Sequence, residues 1–341
     1  MESYKDLDEK FIAIADFRDF PYQFDYPTKY KSIADYLKKW VLPYVNSGAM
    51  LNGDGYLTDH GPEHVKMVIK RASKLLEATT RKLNDYETYI LLMAIQIHDV
   101  GNILGRNGHE INSTLVMKQI NDELSPNFAG PDRIEWDYIY EIASSHGGKD
   151  KISKLDGGEI HVLEQPIRPQ LLASILKFSD ELAENSSRAD RYNLLFKNIP
   201  DTSKLYHEYA LALDSVIIKA NEREVYMYFV VDEDKLCNKY KKVINGKTTE
   251  TYLIDEIYLR TLKTHYERLY CMRFMRPLIN IDRIRVNIKI RLRNRKWFST
   301  NFDLVETGLN SLKIDDMYNL CPELLKWTGH ILCEKSTEQS L

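Results

Sequence analysis

The sequence predicts a mainly α protein, in which an all-α domain is followed by a smaller α+β domain. Apolar residues recur at helical spacing, without a convincing alternating strand, between residues 58 and about 195. After Pro200, apolar and polar residues alternate, as is typical of strands. The 341 residues suffice for about two domains. We therefore expect a helical lead-in over 1–57, an all-α domain over 58–199 and an α+β domain over 200–341.

The composition is that of an ordinary globular chain. Hydrophobic residues make up 43% and charged residues 28%, which excludes a chain that is disordered throughout. The net charge of −3 argues against a uniformly basic nucleic-acid coat protein. The N-terminus is polar and acidic, unlike a secretory signal, and no apolar run approaches the ~20 residues that span a bilayer. We expect a soluble, cytoplasmic protein without a membrane partner.

The four cysteines are too widely spaced to indicate a zinc ribbon or a redox pair. They are Cys237, Cys271, Cys321 and Cys333. We expect reduced, scattered thiols. Any metal would then be bound by His, Asp and Glu.

The helical region is expected to contain a lead-in helix and five further helices. The second of the five has an almost wholly apolar interior, which predicts a central, buried helix. The expected helices cover Thr28–Asn46, a segment from Pro62 with Thr58 or Asp59 as cap, a segment from Asn84 or Asp85 to His98, His109–Leu124, Pro131–Ser145 and Pro169–Glu184.

The α+β half is expected to contain hairpins, one long helix and a strongly alternating strand. Residues 215–231 form two β-rich arms around Ala220–Arg223, and Asn245-Gly246 is a favoured two-residue hairpin turn. Residues 253–275 have a helical pattern, and further short helices are expected near 321–334.

One histidine, a His-Asp pair and one aspartate lie on three of the predicted helices: His64, His98-Asp99 and Asp180. Two imidazoles and two carboxylates suit a divalent metal with open positions for water and phosphate oxygens. Asp99 is the best candidate to bridge two ions, because a carboxylate has two oxygens. His60 competes with His64 as a ligand, although it precedes Pro62 and is expected outside the helix.

This order of residues resembles the HD-domain metal-dependent phosphohydrolase superfamily over roughly residues 58–195. The resemblance implies a helical enzyme that uses one or two divalent ions (Mn, Mg, Fe, Co or Ni) to activate water. His109 and His146 lie where two-metal members, including those that cleave dinucleoside polyphosphates, carry extra histidines. The segment HEINS at 109–113 is also similar to the His-Glu-x-x-Ser stretch of deoxynucleoside triphosphate triphosphohydrolases. His109 is therefore either a second-metal ligand or a phosphate contact.

The resemblance implies hydrolysis of a phosphoester or phosphoanhydride bond in a nucleotide. Glu110 is a candidate to protonate the leaving group or to order water, beside Asp99 and His109. The candidate metal ligands are His64, His98, Asp99, His109, His146 and Asp180. The candidate phosphate-binding residues are Lys149, Lys177, Arg188 and Arg191.

Two other functions remain open. One is a phosphodiesterase for a cyclic or oligonucleotide, although IASSHGGKD at 142–150 lacks the Gly-Tyr-Pro signature of the cyclic-dinucleotide branch. The other is a non-catalytic module that binds nucleotide or nucleic acid.

Basic residues alternate with apolar ones across 283–295, which predicts a strand with one apolar and one basic face. The basic positions are Arg283, Arg285, Lys289, Arg291, Arg293 and Arg295. They form either the solvated face of an edge strand or a surface for an anionic effector, a nucleic acid or an acidic subunit. The C-terminal domain is expected to regulate, to shape the substrate pocket or to form a homo-oligomer.

Overall fold

The structure is a computed structural model that describes most of the chain. The described residues are 5–47, 55–77, 79, 82–124, 133–244, 246–292, 297–306 and 316–337. They fall into two compact units that alternate along the sequence. Unit 1 takes residues 1–54, 60–183 and 271–279, and unit 2 takes 55–59, 184–270 and 280–341. The division into three consecutive domains, over 1–57, 58–199 and 200–341, stays a prediction.

Unit 1 is helical, with one small hairpin, as the fold-class prediction requires. Its helices are α1 (Leu7–Ile12), α2 (Tyr26–Trp40), α3 (Pro62–Leu76), α4 (Asp85–Ile97), α5 (His109–Leu124), α6 (Arg133–Ser144) and α7 (Pro169–Glu181), and its strands are β1 (Ile160–Val162) and β2 (Gln165–Ile167). Every residue of α4 from Tyr86 to Ile97 is buried, which confirms the central apolar helix. Asn84 caps α4 and forms a capping box with Glu87.

Some helix boundaries differ from the sequence-based expectation; helix α7, for example, ends at Glu181 instead of Glu184. Helix α3 begins after Gly61, which has no side-chain cap, so the expected cap by Thr58 or Asp59 is wrong. Helix α2 ends at Trp40, and a 3-10 turn follows over Leu42–Tyr44. Pro43 lacks the amide hydrogen that would continue the helix. Helix α6 begins at Arg133; residues 131–132, where its start was expected, lie outside the described residues.

The hairpin of β1 and β2 was not expected, because the region between 58 and 195 showed no alternating strand. Each strand is only three residues long, and they pair antiparallel. The turn is formed by Leu163 and Glu164, which both have positive φ, at 49° and 67°. Hairpin turns with two positive φ values usually contain Asn or Gly, so this turn has no recognisable sequence signal.

A buried ion pair connects α2 to α6 inside unit 1. The Nζ atom of Lys29 lies 2.6 Å from Oε1 of Glu135, whose side chain is wholly inaccessible to solvent. The hydroxyls of Tyr26 and Tyr86 donate to Oε2 of Glu135 at 2.7 and 2.9 Å. The hydroxyl of Tyr89 donates to Oε1 at 3.3 Å. Because this carboxylate is fully paired and hydrogen-bonded, its burial is compatible with a stable core.

We expect Glu135→Gln to lower the free energy of unfolding by about 3–5 kcal/mol, because it leaves the Lys29 ammonium buried without a counter-charge. Urea-induced unfolding followed by circular dichroism measures the loss. The control is Lys31→Met, which removes an exposed ion pair with Asp35 on the same helix. It should change stability by less than about 1 kcal/mol. A Glu135→Gln loss no larger than the control would contradict this role.

Unit 2 contains the α+β part of the chain. Its helices are α8 (Arg191–Leu195), α9 (Asp201–Ala212), α10 (Glu233–Leu236), α11 (Leu253–Met275), α12 (Met317–Leu320) and α13 (Gly329–Thr337). Its strands are β3 (Leu213–Lys219), β4 (Glu224–Asp232), β5 (Lys239–Ile244), β6 (Lys247–Tyr252), β7 (Arg283–Arg291) and β8 (Trp297–Val305). Residues 271–275 of α11 belong to unit 1. Both predicted hairpins and the helix over 253–275 are confirmed. Asn245 of the predicted turn between β5 and β6 lies outside the described residues.

The main sheet has the strand order β3-β4-β7-β8, with β4 and β7 parallel and the other pairs antiparallel. Strand β7 has the predicted alternation, with Ile284, Val286, Ile288 and Ile290 buried. It is an inner strand, so the edge-strand interpretation is wrong.

Acidic residues on neighbouring strands pair with part of the basic face of β7. Arg285 donates to both carboxylate oxygens of Glu224 at 2.9 and 3.0 Å, and Nε of Arg291 lies 2.6 Å from Asp232. Arg283 lies 3.4 Å from Asp303. These cross-strand pairs offset part of the positive charge. Arg293 and Arg295 lie outside the described residues, and binding of an anionic partner here stays a prediction.

A disulfide bond joins Cys237, which follows α10, to Cys333 in α13, across 96 residues of sequence. Cys271 and Cys321 are buried free thiols. The prediction of four reduced thiols is therefore wrong, since sequence spacing does not reveal which distant cysteines the fold brings together. The cytoplasmic location stays a prediction. Among the described residues, no helix combines the length and apolar character needed to cross a membrane.

Candidate metal centre

Six potential metal ligands converge in unit 1 from five neighbouring elements. They are His64 on α3, His98 and Asp99 in the turn after α4, His109 at the start of α5, His146 after α6 and Asp180 on α7. The apolar helix α4 ends directly before the His-Asp pair, and this rigid helix places both side chains in the protein interior. These six residues are the metal ligands suggested by the sequence.

Four of these side chains form a first group, consisting of His64, His98, Asp99 and Asp180. One ligand atom from each residue lies within 4.8 Å of the others. The Nε2 atom of His64 lies 3.1 Å from Oδ1 of Asp180 and 3.5 Å from Oδ2 of Asp99. The Nε2 atom of His98 lies 3.2 Å from the same Asp99 oxygen. Two imidazoles and two carboxylates therefore surround one small volume.

The second group consists of Asp99, His109 and His146. The Nε2 atom of His109 lies 3.3 Å from Oδ1 of Asp99, and that of His146 lies 3.7 Å from it. The two Nε2 atoms are 3.2 Å apart. Asp99 thus directs Oδ2 toward the first group and Oδ1 toward the second, the bridging arrangement suggested by the sequence.

Backbone carbonyls select the tautomer of three histidines. The Nδ1 atoms of His98, His146 and His109 lie 2.8, 2.6 and 3.0 Å from the carbonyl oxygens of Ile95, Ala143 and Arg106. A carbonyl only accepts a hydrogen bond, so Nδ1 carries the hydrogen in each case. When such a ring is neutral, its lone pair is therefore on Nε2, which is directed toward the ligand groups. Histidines that bind metals typically donate the hydrogen of their other ring nitrogen to a carbonyl or carboxylate in this way.

Several buried nitrogens of the first group lack a hydrogen bond. Among the described residues, Nδ1 and Nε2 of His64 and Nε2 of His98 have no partner of suitable geometry. A buried polar atom without a partner destabilises a fold by roughly 1–3 kcal/mol. A bound cation would satisfy the two Nε2 atoms. The donor set, the burial and the unsatisfied nitrogens therefore all fit a divalent metal.

Burial and the close approach of histidines to carboxylates shift the pKa values of the potential ligands. Burial lowers the pKa of His98, but Asp99 and Asp180 outweigh it and raise this pKa to about 10. Burial also opposes ionisation of both carboxyl groups, yet the surrounding histidines hold their pKa values well below the usual range. Burial and the nearby His98 lower the pKa of His146 to about 4. The site thus combines ionised carboxylates with a positive charge.

We expect metal affinity to rise with pH. Before a metal binds, His98 keeps its proton up to a pH of about 10, whereas a metal-binding imidazole is neutral. Binding below that pH releases one proton from His98, so the affinity should increase about tenfold per pH unit. Calorimetric titration with Mn²⁺ at neutral pH, in two buffers of different ionisation enthalpy, measures the released protons. Binding without proton release would contradict a protonated His98.

A close backbone approach positions the two groups relative to each other. The hydroxyl of Ser113 donates to the carbonyls of His98 and His109 and accepts from the amide of Gly101 at 3.0 Å. A Cβ atom at Gly101 would lie 1.9 Å from the His109 carbonyl oxygen. Only glycine therefore allows the turn after Asp99 to pack against the first turn of α5.

We expect Gly101→Ala to separate these two segments, lower the free energy of unfolding by at least about 2 kcal/mol and weaken metal binding. Urea unfolding and Mn²⁺ titration measure the two effects. Gly157→Ala is the matched control, because its Cβ would be 3.7 Å from the nearest side-chain atom, an ordinary contact. Equal stability and equal metal affinity of the two variants would contradict a structural requirement for Gly101.

Glu110 lies beside the second group. Its Oε2 atom is 3.5 Å from Nδ1 of His109, and its carboxylate packs so closely on Gly147 that a Cβ there would be 2.1 Å from Oε1. Burial raises the pKa of Glu110, but its backbone amide and His109 outweigh this and lower it. Glu110 is therefore ionised at neutral pH, which suits ordering of water better than proton donation.

The four candidate phosphate-binding residues have different environments. Lys177 is buried and donates to the carbonyl oxygen of His146 at 2.7 Å, so it supports a ligand-bearing turn. Lys149 is exposed in that turn. Arg188 and Arg191 belong to unit 2. Arg188 is buried and donates to the carbonyl of Asp59 at 2.7 Å, whereas Arg191 is exposed at the start of α8.

His60 lies outside both ligand groups. It is buried, and its ring centroid is 5.5 Å from that of His64. The structure thus places His64 among the potential ligands and His60 beside it, where His60 contributes to the low pKa of Asp99. Helix α3 begins at Pro62, so His60 precedes the helix as expected.

Two further residues at the site were not identified from the sequence. Nδ2 of Asn102 donates to Oδ1 of Asp99 at 3.1 Å and fixes the orientation of that carboxylate. Nη1 of Arg106 lies 3.3 Å from Nε2 of His109. Both residues lie between the His-Asp pair and His109. Apart from this position, the sequence contains no pattern that marks them as site residues.

Residues 54–257, more than half of the chain, match the HD-CE family. The chain therefore belongs to the HD-CE family, whose HD-type domain fits the His/Asp groups described above. The family and the site together indicate a metal-dependent hydrolase. No curated protein and no solved structure shows significant similarity to the chain.

Proposed function

We propose that the protein is a divalent-metal-dependent phosphohydrolase that cleaves a phosphoester or phosphoanhydride bond of a nucleotide. The main support is the division of Asp99 between two ligand groups, with Oδ2 close to His64 and His98 and Oδ1 close to His109 and His146. A carboxylate that bridges two cation positions is typical of sites that hold both the attacking and the leaving oxygen of a phosphate.

The first group would hold a metal through Nε2 of His64 and His98 and through carboxylate oxygens of Asp99 and Asp180. The second group would add Nε2 of His109 and His146. A bound divalent ion there screens the negative charge of the phosphate and lowers the pKa of water. The low pKa values of Asp99 and Asp180 keep both carboxylates ionised for this task.

The remaining residues of the site orient the reactants. Asn102 holds the Asp99 carboxylate through a hydrogen bond, and the backbone carbonyls keep the histidine tautomers fixed. Glu110, ionised beside His109, would accept a hydrogen bond from a water at the edge of the second group. Of the two roles that the sequence left open for His109, the position of its Nε2 in the second group supports the second-metal ligand, and a phosphate contact stays the alternative.

A nucleotide is the proposed substrate class because of the resemblance to nucleotide-cleaving HD-domain enzymes. A phosphodiester of a cyclic or oligonucleotide uses the same reacting atoms and is the main alternative. Manganese and magnesium are the first ions to test, because carboxylate oxygens suit both Mn²⁺ and Mg²⁺. A screen of nucleoside triphosphates, dinucleoside polyphosphates and cyclic nucleotides with each metal distinguishes these substrates.

We expect the double variant His98→Ala, Asp99→Ala to lose metal binding and metal-dependent hydrolysis together, because it removes two ligands of the first group and the bridge to the second. Metal content is measured by mass spectrometry of the purified protein, and hydrolysis by phosphate release. The helical circular dichroism should persist, because both residues follow α4 instead of lying within it.

The control for this variant is His161→Ala, which removes an exposed histidine of β1 in the same unit. It should keep both the metal and the activity. Metal-dependent hydrolysis at the wild-type rate in the double variant would refute the proposed site. A wild-type protein that binds metal but hydrolyses no phosphate ester would instead favour the non-catalytic nucleotide-binding function.

A further inference from the structure

Arg106 extends from the loop before α5 toward the second ligand group. Its Nη1 atom lies 3.2 Å from Oδ1 of Asn102, 3.3 Å from Nε2 of His109 and 3.8 Å from Oδ1 of Asp99. Its side chain is 40% exposed, whereas that of Asp99 is 4% exposed. The guanidinium therefore borders both solvent and the buried ligands.

The hydrogen bond to His109 uses the lone pair that a metal would need. Nδ1 of His109 lies 3.0 Å from the carbonyl oxygen of Arg106 and carries the hydrogen, so Nε2 is the acceptor. A guanidinium only donates hydrogen bonds, which fixes the same assignment independently. Arg106 and a second metal ion thus compete for Nε2 of His109 and for Oδ1 of Asp99.

Electrostatics make this competition strong. The guanidinium carries a positive charge beside Nε2 of His109 and Oδ1 of Asp99, the atoms that would hold a second divalent cation, so the two cations would repel each other. Arg106 approaches Asp99 on the Oδ1 side, whereas Oδ2, which belongs to the first group, borders His64 and His98. The second group should therefore bind a divalent ion more weakly than the first group does.

We infer that Arg106 occupies the second cation position until a phosphate group draws it away. A guanidinium binds phosphate through two parallel hydrogen bonds, and the partly exposed side chain can turn toward a substrate at the site. Movement of Arg106 onto phosphate frees Nε2 of His109 and Oδ1 of Asp99 for the second ion. The second ion then binds together with the phosphate, and the first ion binds alone. This inference rests on the proposed function, and it assigns Arg106 as a phosphate-binding residue.

The test is Mn²⁺ stoichiometry, measured by equilibrium dialysis with and without inorganic phosphate, for the wild type and Arg106→Met. The wild type should bind one Mn²⁺ tightly, and phosphate should strengthen binding of the second by at least about tenfold. Arg106→Met should bind the second Mn²⁺ at least about tenfold more tightly than the wild type without phosphate, and should lose most of the phosphate effect.

Two further variants separate the charge of Arg106 from its packing. Arg106→Lys keeps the charge and should keep second-ion binding weak without phosphate. Arg133→Met, a change at a 96% exposed arginine of the same unit, should behave as the wild type. If Arg106→Met and Arg106→Lys alter second-ion binding equally, the residue acts only through packing and the inference fails.

The outcomes also separate this inference from the proposed function. Normal binding of the first ion, with second-ion affinity unchanged by Arg106→Met and by phosphate, contradicts the role of Arg106 alone. Absence of Mn²⁺ binding at the first group contradicts the proposed function and this inference together.

Discussion

The arrangement of the site depends on one buried carboxylate, that of Asp99. Burial alone would favour its neutral form, but the histidines on both sides and the amide of Asn102 stabilise the charge. An ionised carboxylate in a protein interior requires cations or donors on all its lone pairs. The histidines around Asp99 meet this requirement. His64 and His98 lie near Oδ2, and His109 and His146 lie near Oδ1.

The fold satisfies this requirement by bringing five elements to one place. Helix α4 is buried along almost its whole length, so the His-Asp pair that follows it lies inside unit 1. Gly101 and Ser113 then hold the turn after Asp99 against the start of α5, where His109 lies. The buried pair of Lys29 and Glu135 connects the lead-in helix α2 to α6, which ends just before His146. Residues far from the ligands thereby contribute to their geometry.

Much of the helical part and the ligand set could be predicted from the sequence, because both depend on local patterns. The apolar run of α4 and the order His64, His98-Asp99 and Asp180 are visible in the sequence. The bond between Cys237 and Cys333 was not predictable, because it depends on contacts between distant segments. The inner position of β7 was missed for the same reason, since strand order is a property of the whole sheet.

Arg106 and Asn102 illustrate a further limit of the sequence. Neither residue type is a preferred metal ligand, so neither stands out beside histidines and aspartates. Their importance comes from distances of 3.1–3.3 Å to Asp99 and His109, which only the fold reveals.

Anomalous diffraction from a crystal soaked in Mn²⁺ locates a bound ion without reference to activity. We expect an anomalous peak within about 2.4 Å of Oδ2 of Asp99 and of the Nε2 atoms of His64 and His98. With phosphate added, a second peak should appear beside Oδ1 of Asp99. A peak elsewhere in the chain, or none at Asp99, would contradict the assignment of this carboxylate as the centre of the site.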